Sequence, residues 1–238
     1  MKQRLDQLIA SKGLVATRSQ AESYIKLGKV KVNGKVETKP GFMATVEADV
    51  QLTASEQYVS RAGLKLASVA KLLEVDFRGK TVLDVGSSTG GFTDYALRHG
   101  AVKVFAVELG TNQLHPSLHG DERIELHEQT DIRNFKTADN IDIVVADVSF
   151  ISLRELLPHI ATLCSMHTDI LAMVKPQFEA GQSSLKHKGV VKNDKMRREI
   201  LKDFETWSRA YFTIRGQADS DVAGAKGNKE RFYKLRIL

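Results

Sequence analysis

The sequence predicts an α/β protein: a doubly wound, mostly parallel sheet preceded by a small α/β unit. Three observations carry this. From Tyr58 onward, short apolar runs alternate with stretches of helical spacing, the texture of a parallel sheet covered by helices. The preceding segment reads differently, as two short helices and a tight hairpin. The net charge is also confined to it. Residues 1–40 hold nine Lys and Arg against three Asp and Glu, a surplus equal to the +6 of the whole 238-residue chain, so residues 41–238 are balanced. Such asymmetry suits a segment that meets a polyanion, although a solvated basic face has the same composition.

Taken in order, KQRLDQLIA over residues 2–10 places Leu5, Leu8 and Ile9 at helical spacing, and Gly13 breaks the pattern. Thr17 or Ser19 can cap a second helix, SQAESYIKL, which stops at Gly28. KVKVNGKVE then alternates around Asn33-Gly34, the composition of a type I′ hairpin. Its valines are expected to face a small core. Its lysines (Lys29, Lys31 and Lys35) are expected to point together toward solvent, joined by Arg4, Lys12, Arg18 and Lys26. This unit is assigned to residues 1–41, and residues 42–58 to a connector with one further strand between Thr45 and Leu52. Residues 59–238 form the main domain. There, helical spacing from Ala62 to Leu73 precedes strands at KTVLDV, KVFAVEL, IELHE, IDIVVAD and DILAMVK. Helices are expected from Gly91 to His99 and from Ser152 to Cys164. A charged helix from Asn193 to Arg209 leads to YFTIRGQAD and RFYKLRIL, which can pair as an antiparallel edge.

Several function classes fall away. Cys164 is the single cysteine, so neither an internal disulfide nor a cysteine-based zinc site can form. His115 and His119 have a metal-like spacing, but Pro116 stands between them and no third ligand is evident, so no metal is expected. The first residues lack the unbroken apolar stretch of a signal peptide. The longest apolar runs, such as Ile141 to Ala146 and Ile170 to Val174, are too short to span a bilayer. A cytoplasmic protein without a membrane partner is expected.

The segment Asp84-Val-Gly-Ser-Ser-Thr-Gly-Gly91 follows a strand and opens a helix, where doubly wound sheets bind ligands. The dinucleotide pattern G-x-G-x-x-G is absent, and an acid precedes the first glycine. A diphosphate would be repelled there. S-adenosylmethionine, with its amino group and sulfonium, suits acidic surroundings. Glu108 ends the next strand, where a carboxylate can accept both ribose hydroxyls. Asp131 follows the third and can take the adenine amino group, and Asp147 ends the fourth. The candidate cofactor residues are Asp84, Gly86, Ser87, Ser88, Gly90, Gly91, Phe92, Glu108 and Asp131. Any one of these acids alone would read as a surface acid beside a tight turn; the ordered set favours the cofactor.

The phrases YVSRAGLKL, LDVGSSTGGFTD, DVSFIS, MVKPQFE and GNKERFY resemble the hemolysin A, or TlyA, group of FtsJ-like ribosomal RNA methyltransferases over essentially the whole chain. The resemblance implies a Rossmann-like methyltransferase domain and 2′-O-methylation of ribosomal RNA, with cytidine as the acceptor. It also implies a Lys-Asp-Lys-Glu tetrad at Lys65, Asp147, Lys175 and Glu230. RLDQLI, TRSQAESYI and GKVKVNGKV resemble the alpha-L RNA-binding motif of ribosomal proteins. Ribosomal RNA or ribosomal subunits are then the partner, and no obligate protein partner is indicated.

The chemistry agrees with that carry-over. A ribose hydroxyl is a poor nucleophile, and a lysine serves as its general base only when the amine is deprotonated near the working pH. A neighbouring lysine and desolvation both favour the free amine, while a carboxylate between the two opposes them. Lys175 is assigned as base, Asp147 and Lys65 as its orienting partners, and Glu230 as the positioner of Lys65 or the ribose. Alignment supplies the remaining acceleration. Cytosine C5 methylation would need a cysteine at a strand end, and Cys164 lies late in a helix. Amino-group methylation usually has a proline-rich loop where this chain has DVSF. A basic stretch, Lys186-His-Lys-Gly-Val-Val-Lys192, reads either as a loop closing on a ligand or as an exposed loop. Two rival readings are a non-catalytic ribosome assembly factor and a membrane-lytic hemolysin.

Overall fold

The computed structural model describes residues 1–238 apart from 55, 181–189, 192, 225 and 226. The chain divides into two compact units, Met1–Arg61 and Ala62–Leu238.

The first unit begins with β1 (Lys2–Arg4), then α1 (Leu5–Ser11), α2 (Arg18–Lys26), β2 (Val30–Val32), β3 (Lys35–Val36), β4 (Met43–Thr45) and β5 (Val50–Leu52). The helix expected from residue 2 starts at Leu5, because residues 2–4 pair antiparallel with β4. That partner lies some forty residues downstream, beyond the reach of a local pattern. Residues 42–58 thus carry two strands of this unit: β4 on β1, and β5 on the outer side of β2. Thr17 and Gln20 cap α2 reciprocally, each side chain reaching the other's backbone N–H. Gln20 Nε2 also donates to the Tyr58 and Val59 carbonyls, tying the end of the unit to its second helix. Leu5, Leu8, Ile9, Tyr24, Ile25 and Val30 are buried together with the Asp6 carboxylate.

Asn33 and Gly34 both take positive φ, 49° and 79°, as a type I′ turn requires. This two-residue turn sets Val32 opposite Lys35 and Lys31 opposite Val36. Directly paired residues share a face, so parity changes across the turn. The expectation that the three hairpin lysines point together is therefore corrected. Lys29 and Lys31 lie on one face, Lys35 shares the other with Val32, and Val36 is 56% exposed.

The second unit contains α3 (Arg61–Ala70, straddling the boundary), β6 (Thr81–Val85), α4 (Gly91–Arg98), β7 (Lys103–Val107), β8 (Ile124–His127), β9 (Ile143–Ala146), α5 (Leu153–Thr162), β10 (Asp169–Val174), α6 (Pro176–Glu179), α7 (Asp194–Ser208), β11 (Phe212–Asp219) and β12 (Arg231–Ile237). Its seven-stranded sheet runs β11-β12-β10-β9-β6-β7-β8. The five strands from β10 to β8 are parallel, and β12 and β11 form the expected antiparallel edge. Strands such as VFAV, IVVA and LAMV are apolar on both faces because helices cover both. Leu83, Val85, Val144, Ala146, Leu157, Ala172 and Phe204 are all buried in the resulting core.

Candidate active site

The chain leaves β6 toward β7 and β8 on one side, and returns to β9 and β10 on the other. The switch point therefore lies between β6 and β9, the expected place for a ligand. The carboxyl ends of these strands open into a cavity of about 620 Å³. Val85, Val107, Ile132 and Leu156 give it apolar walls, and Glu108, Asp131 and Asp147 give it three carboxylates.

Gly86 turns the chain at φ 78°, and a β-carbon there would lie 3.0 Å from the Asp147 carbonyl oxygen. Only glycine lets the end of β6 come this close to the end of β9. Gly90 instead makes room for the 114–118 turn, since a β-carbon on it would lie 2.5 and 2.7 Å from methyl carbons of Leu118 and Leu114. Ser88 N donates to Glu108 Oε2 at 2.9 Å, and Gly110 N donates to Glu108 Oε1 at 2.7 Å. The acid is thereby fixed at the rim of the cavity. Asp131 takes the Arg133 guanidinium on both oxygens, at 3.0 and 2.6 Å, which holds its carboxyl down at about 2.

Asp84 lies behind this wall, almost fully buried. One oxygen accepts from Thr93 Oγ at 2.7 Å, while Oδ1 has no hydrogen-bond partner among the described residues, and neither does the buried Ser87 hydroxyl. Burial pushes the Asp84 carboxyl up to about 7, and the charges of Asp147 and Glu108 add to the effect. An orphaned acid beside a carboxylate-lined cavity fits a ligand that brings a cation and hydrogen-bond donors. Of the candidate cofactor residues, Gly86, Ser88, Glu108 and Asp131 line the cavity. Gly91 opens α4, and Phe92 packs inward, its ring 6.0 Å from that of Phe232.

The tetrad resolves into two ion pairs. Lys65 Nζ lies 2.5 Å from Glu230 Oε2, and both side chains are buried. Lys175 Nζ lies 2.6 Å from Asp147 Oδ1 and donates to Ser149 Oγ at 2.7 Å. Asp147 therefore belongs to Lys175 rather than sitting between the two lysines. Backbone register gathers three of the four residues. β10 pairs with β12 through Val174 and Arg231, so the next residues outward are Lys175 and Glu230; Asp147 leaves the adjacent β9 at the same end.

Residues not singled out from the sequence complete the wall. Phe150 adopts φ 68°, is 91% exposed, and lines the cavity with its ring 5.2 Å from Phe178. A bulky residue in the left-handed region is strained, and such strain clusters at functional sites. Glu179 accepts from Ser152 Oγ at 2.6 Å and from Leu153 N at 2.8 Å, joining the loop after β9 to the turn after β10. Burial raises its carboxyl above the usual range. The motifs DVSFIS and KPQFE contain these residues, but only the folded loops reveal their contacts.

A family model described as FtsJ-like methyltransferase matches residues 58–236, and an S4 domain model matches residues 3–50. The chain belongs to the FtsJ-like methyltransferase family. The cofactor of this FtsJ-like chain is S-adenosylmethionine. The 23S rRNA (cytidine-2′-O)-methyltransferase TlyA of Campylobacter jejuni is 41% identical over 75% of this chain and 71% of its own length. The 16S/23S rRNA (cytidine-2′-O)-methyltransferase TlyA of Mycobacterium tuberculosis is 36% identical over 98% of this chain and 89% of its own. A solved structure of a provisionally named hemolysin from Streptococcus thermophilus superposes with a TM-score of 0.73, at 34% identity, over 99% of this chain and 88% of that one.

In the S4 unit, the two arginines expected on the basic surface are engaged. Arg4 Nη2 and Arg18 Nε both pair with the buried Asp6 Oδ2, at 2.8 and 2.9 Å. Lys12 Nζ donates to the Ala48 carbonyl at 3.3 Å, while Lys26, Lys29 and Lys35 are exposed. His115 and His119 spend ring nitrogens on Ser117 and on the Leu114 carbonyl. Among the described residues, no group of three His, Cys, Asp or Glu is arranged to hold a metal ion. Cys164 donates to the Ile160 carbonyl, and burial pushes its thiol up to about 12. The basic stretch at 186–192 lies outside the described residues, except Val190 and Val191. No helix among the described residues is long and apolar enough to cross a membrane.

Proposed function

We propose that this chain methylates the 2′-hydroxyl of a cytidine in ribosomal RNA, acting on ribosomal subunits or their precursors in the cytoplasm. The observation that carries the reading is the placement of Lys175. Its Nζ is held by Asp147 and Ser149, two residues of the cavity wall, at the strand end that also bears Glu230. When bound, S-adenosylmethionine supplies an electrophilic methyl group on a sulfonium. Asp84 and Ser87 would meet the amino-acid end, Glu108 the ribose hydroxyls, and Asp131 the adenine amino group. Lys175, as the free amine once its own proton has left to solvent, takes the proton of the acceptor hydroxyl at Nζ. Lys65, neutralised by Glu230, supports the acceptor ribose, and the apolar walls exclude water. Phe150 offers an exposed π face at the mouth, suited to an unstacked base. The S4 unit supplies phosphate contacts through its lysines.

The test is methyl transfer from radiolabelled S-adenosylmethionine to separated ribosomal subunits and to naked RNA, both lacking the native modification, followed by alkaline hydrolysis. Label retained in an alkali-resistant dinucleotide is expected. Label in mononucleotides would place the methyl group on a base and reject the tetrad reading. No transfer to any RNA, with cofactor binding intact, would favour an assembly factor.

A further inference from the structure

Lys175 Nζ has two partners, Asp147 Oδ1 at 2.6 Å and Ser149 Oγ at 2.7 Å. Asp147 belongs to the tetrad; Ser149 has no role in it. A lysine that has lost its proton keeps two N–H donors and one lone pair, arranged tetrahedrally about Nζ with the Cε bond. With one acceptor only, the amine can rotate about Cε–Nζ and aim its lone pair in several staggered directions. With Ser149 accepting one N–H and the Asp147 carboxylate drawing the other by charge, the lone pair is left with one favoured direction. We infer that Ser149 is a positioning residue for methyl transfer: its hydroxyl, together with Asp147, fixes the direction in which Lys175 presents its lone pair to the acceptor hydroxyl.

Three features of the site agree with that role. Ser149 lines the cavity, so the bond it accepts lies at the wall that the acceptor must approach. The serine is exposed, so its hydroxyl could be satisfied by water, and holding Lys175 is not forced on it by burial. The backbone around it is anchored on both sides. Asp147 N donates to the Val85 carbonyl at 3.1 Å, and Ser152 is tied to Glu179. The hydroxyl is thus presented from a fixed loop, as orientation of a reacting group demands.

The inference rests on the reading of Lys175 as the base, and the experiment separates the two. Ser149→Ala, Ser149→Thr and Lys175→Ala are made in the full chain. Each is assayed for kcat and for KM toward S-adenosylmethionine and unmodified ribosomal subunits. Binding of S-adenosylhomocysteine is measured by calorimetry, and Tm is recorded. Ser149→Ala is expected to lower kcat roughly tenfold or more while both KM values and cofactor-product affinity stay at the native level. Its Tm should remain within about 2 °C of the native value. Ser149→Thr, which keeps the hydroxyl, should recover most of the lost kcat. The inference is overturned if Ser149→Ala turns over at the native rate while Lys175→Ala is inactive. A raised KM for RNA with unchanged kcat would make Ser149 an RNA contact instead. Equal loss in the Thr and Ala variants would mean that side-chain size, not the hydroxyl, matters. Native activity in Lys175→Ala would remove the base reading itself.

Discussion

Gly224 packs so closely on Glu230 that a β-carbon built on it would collide with the Glu230 carboxylate. The glycine is held there by its own N–H, which donates to the Asn228 carbonyl at 2.8 Å, and Arg197 braces the neighbouring Lys229 carbonyl from α7 at 3.1 Å. Gly224→Ala should therefore displace the carboxylate from Lys65. We expect a loss of stability of about 1–3 kcal/mol from overpacking, and a larger proportional loss of kcat than of cofactor binding. Urea unfolding and steady-state methyl transfer check both parts.

The Lys65–Glu230 pair is buried on both sides, and its two members should not be equivalent to a neutral pair. Glu230→Gln leaves an ammonium in the interior without a counter-charge, a change that typically costs about 3–5 kcal/mol. Replacing both, as Lys65→Met with Glu230→Gln, should recover much of that stability and none of the activity. A double variant that regains turnover would remove Lys65 and Glu230 from the reaction.

Asp84 sets a pH dependence with a definite sign. Burial holds its carboxyl at about 7 in the folded chain, against an ordinary value of 3.8. Between these values the unfolded chain has released a proton that the folded chain still binds, so stability falls as pH rises through the window and levels off above it. Asp84→Asn should flatten this slope in urea midpoints measured from about pH 4 to about pH 8. A ligand amino group beside Asp84 favours the ionised form, so S-adenosylhomocysteine should bind more tightly as pH rises toward 7 in the native chain, and less so in the variant.

The two faces of the hairpin predict separable effects on RNA binding. Lys29 and Lys31 share one face and Lys35 lies on the other. If the first face meets phosphates, Lys29→Ala with Lys31→Ala should weaken binding to all RNA sequences alike. The slope of log affinity against log salt should become shallower by roughly 1.5 to 2. Lys35→Ala should then leave the slope within experimental error of native. A slope that responds to Lys35 alone would assign the opposite face.

Much of the second unit was legible because its central strands are largely apolar and α5 and α7 carry side-chain caps at Ser152 and Asn193, signals that depend on neighbours in sequence. The tetrad residues were legible through their motifs, and the acids through their position after each strand. What escaped depends on distance along the chain. β1 is three polar residues whose strand character comes from β4. The facing of Lys35 depends on how a two-residue turn sets register. Ser149 and Glu179 matter for what they touch 26 and 27 residues away. The division of the tetrad into two pairs is likewise a fact of packing, since residue type alone lets either lysine take either acid.

The Glu179 carboxylate has a mechanical consequence. It grips the first turn of α5 while standing four residues beyond Lys175, and the Phe150 and Phe178 rings meet beside it. The loop bearing Asp147 and the turn bearing Lys175 are thereby stitched into one body. Thermal drift of either would carry the other along, so the geometry between acid and amine persists while the site as a whole moves. A site that must admit a bulky, irregular RNA can then yield at its mouth without losing the alignment of the atoms that react.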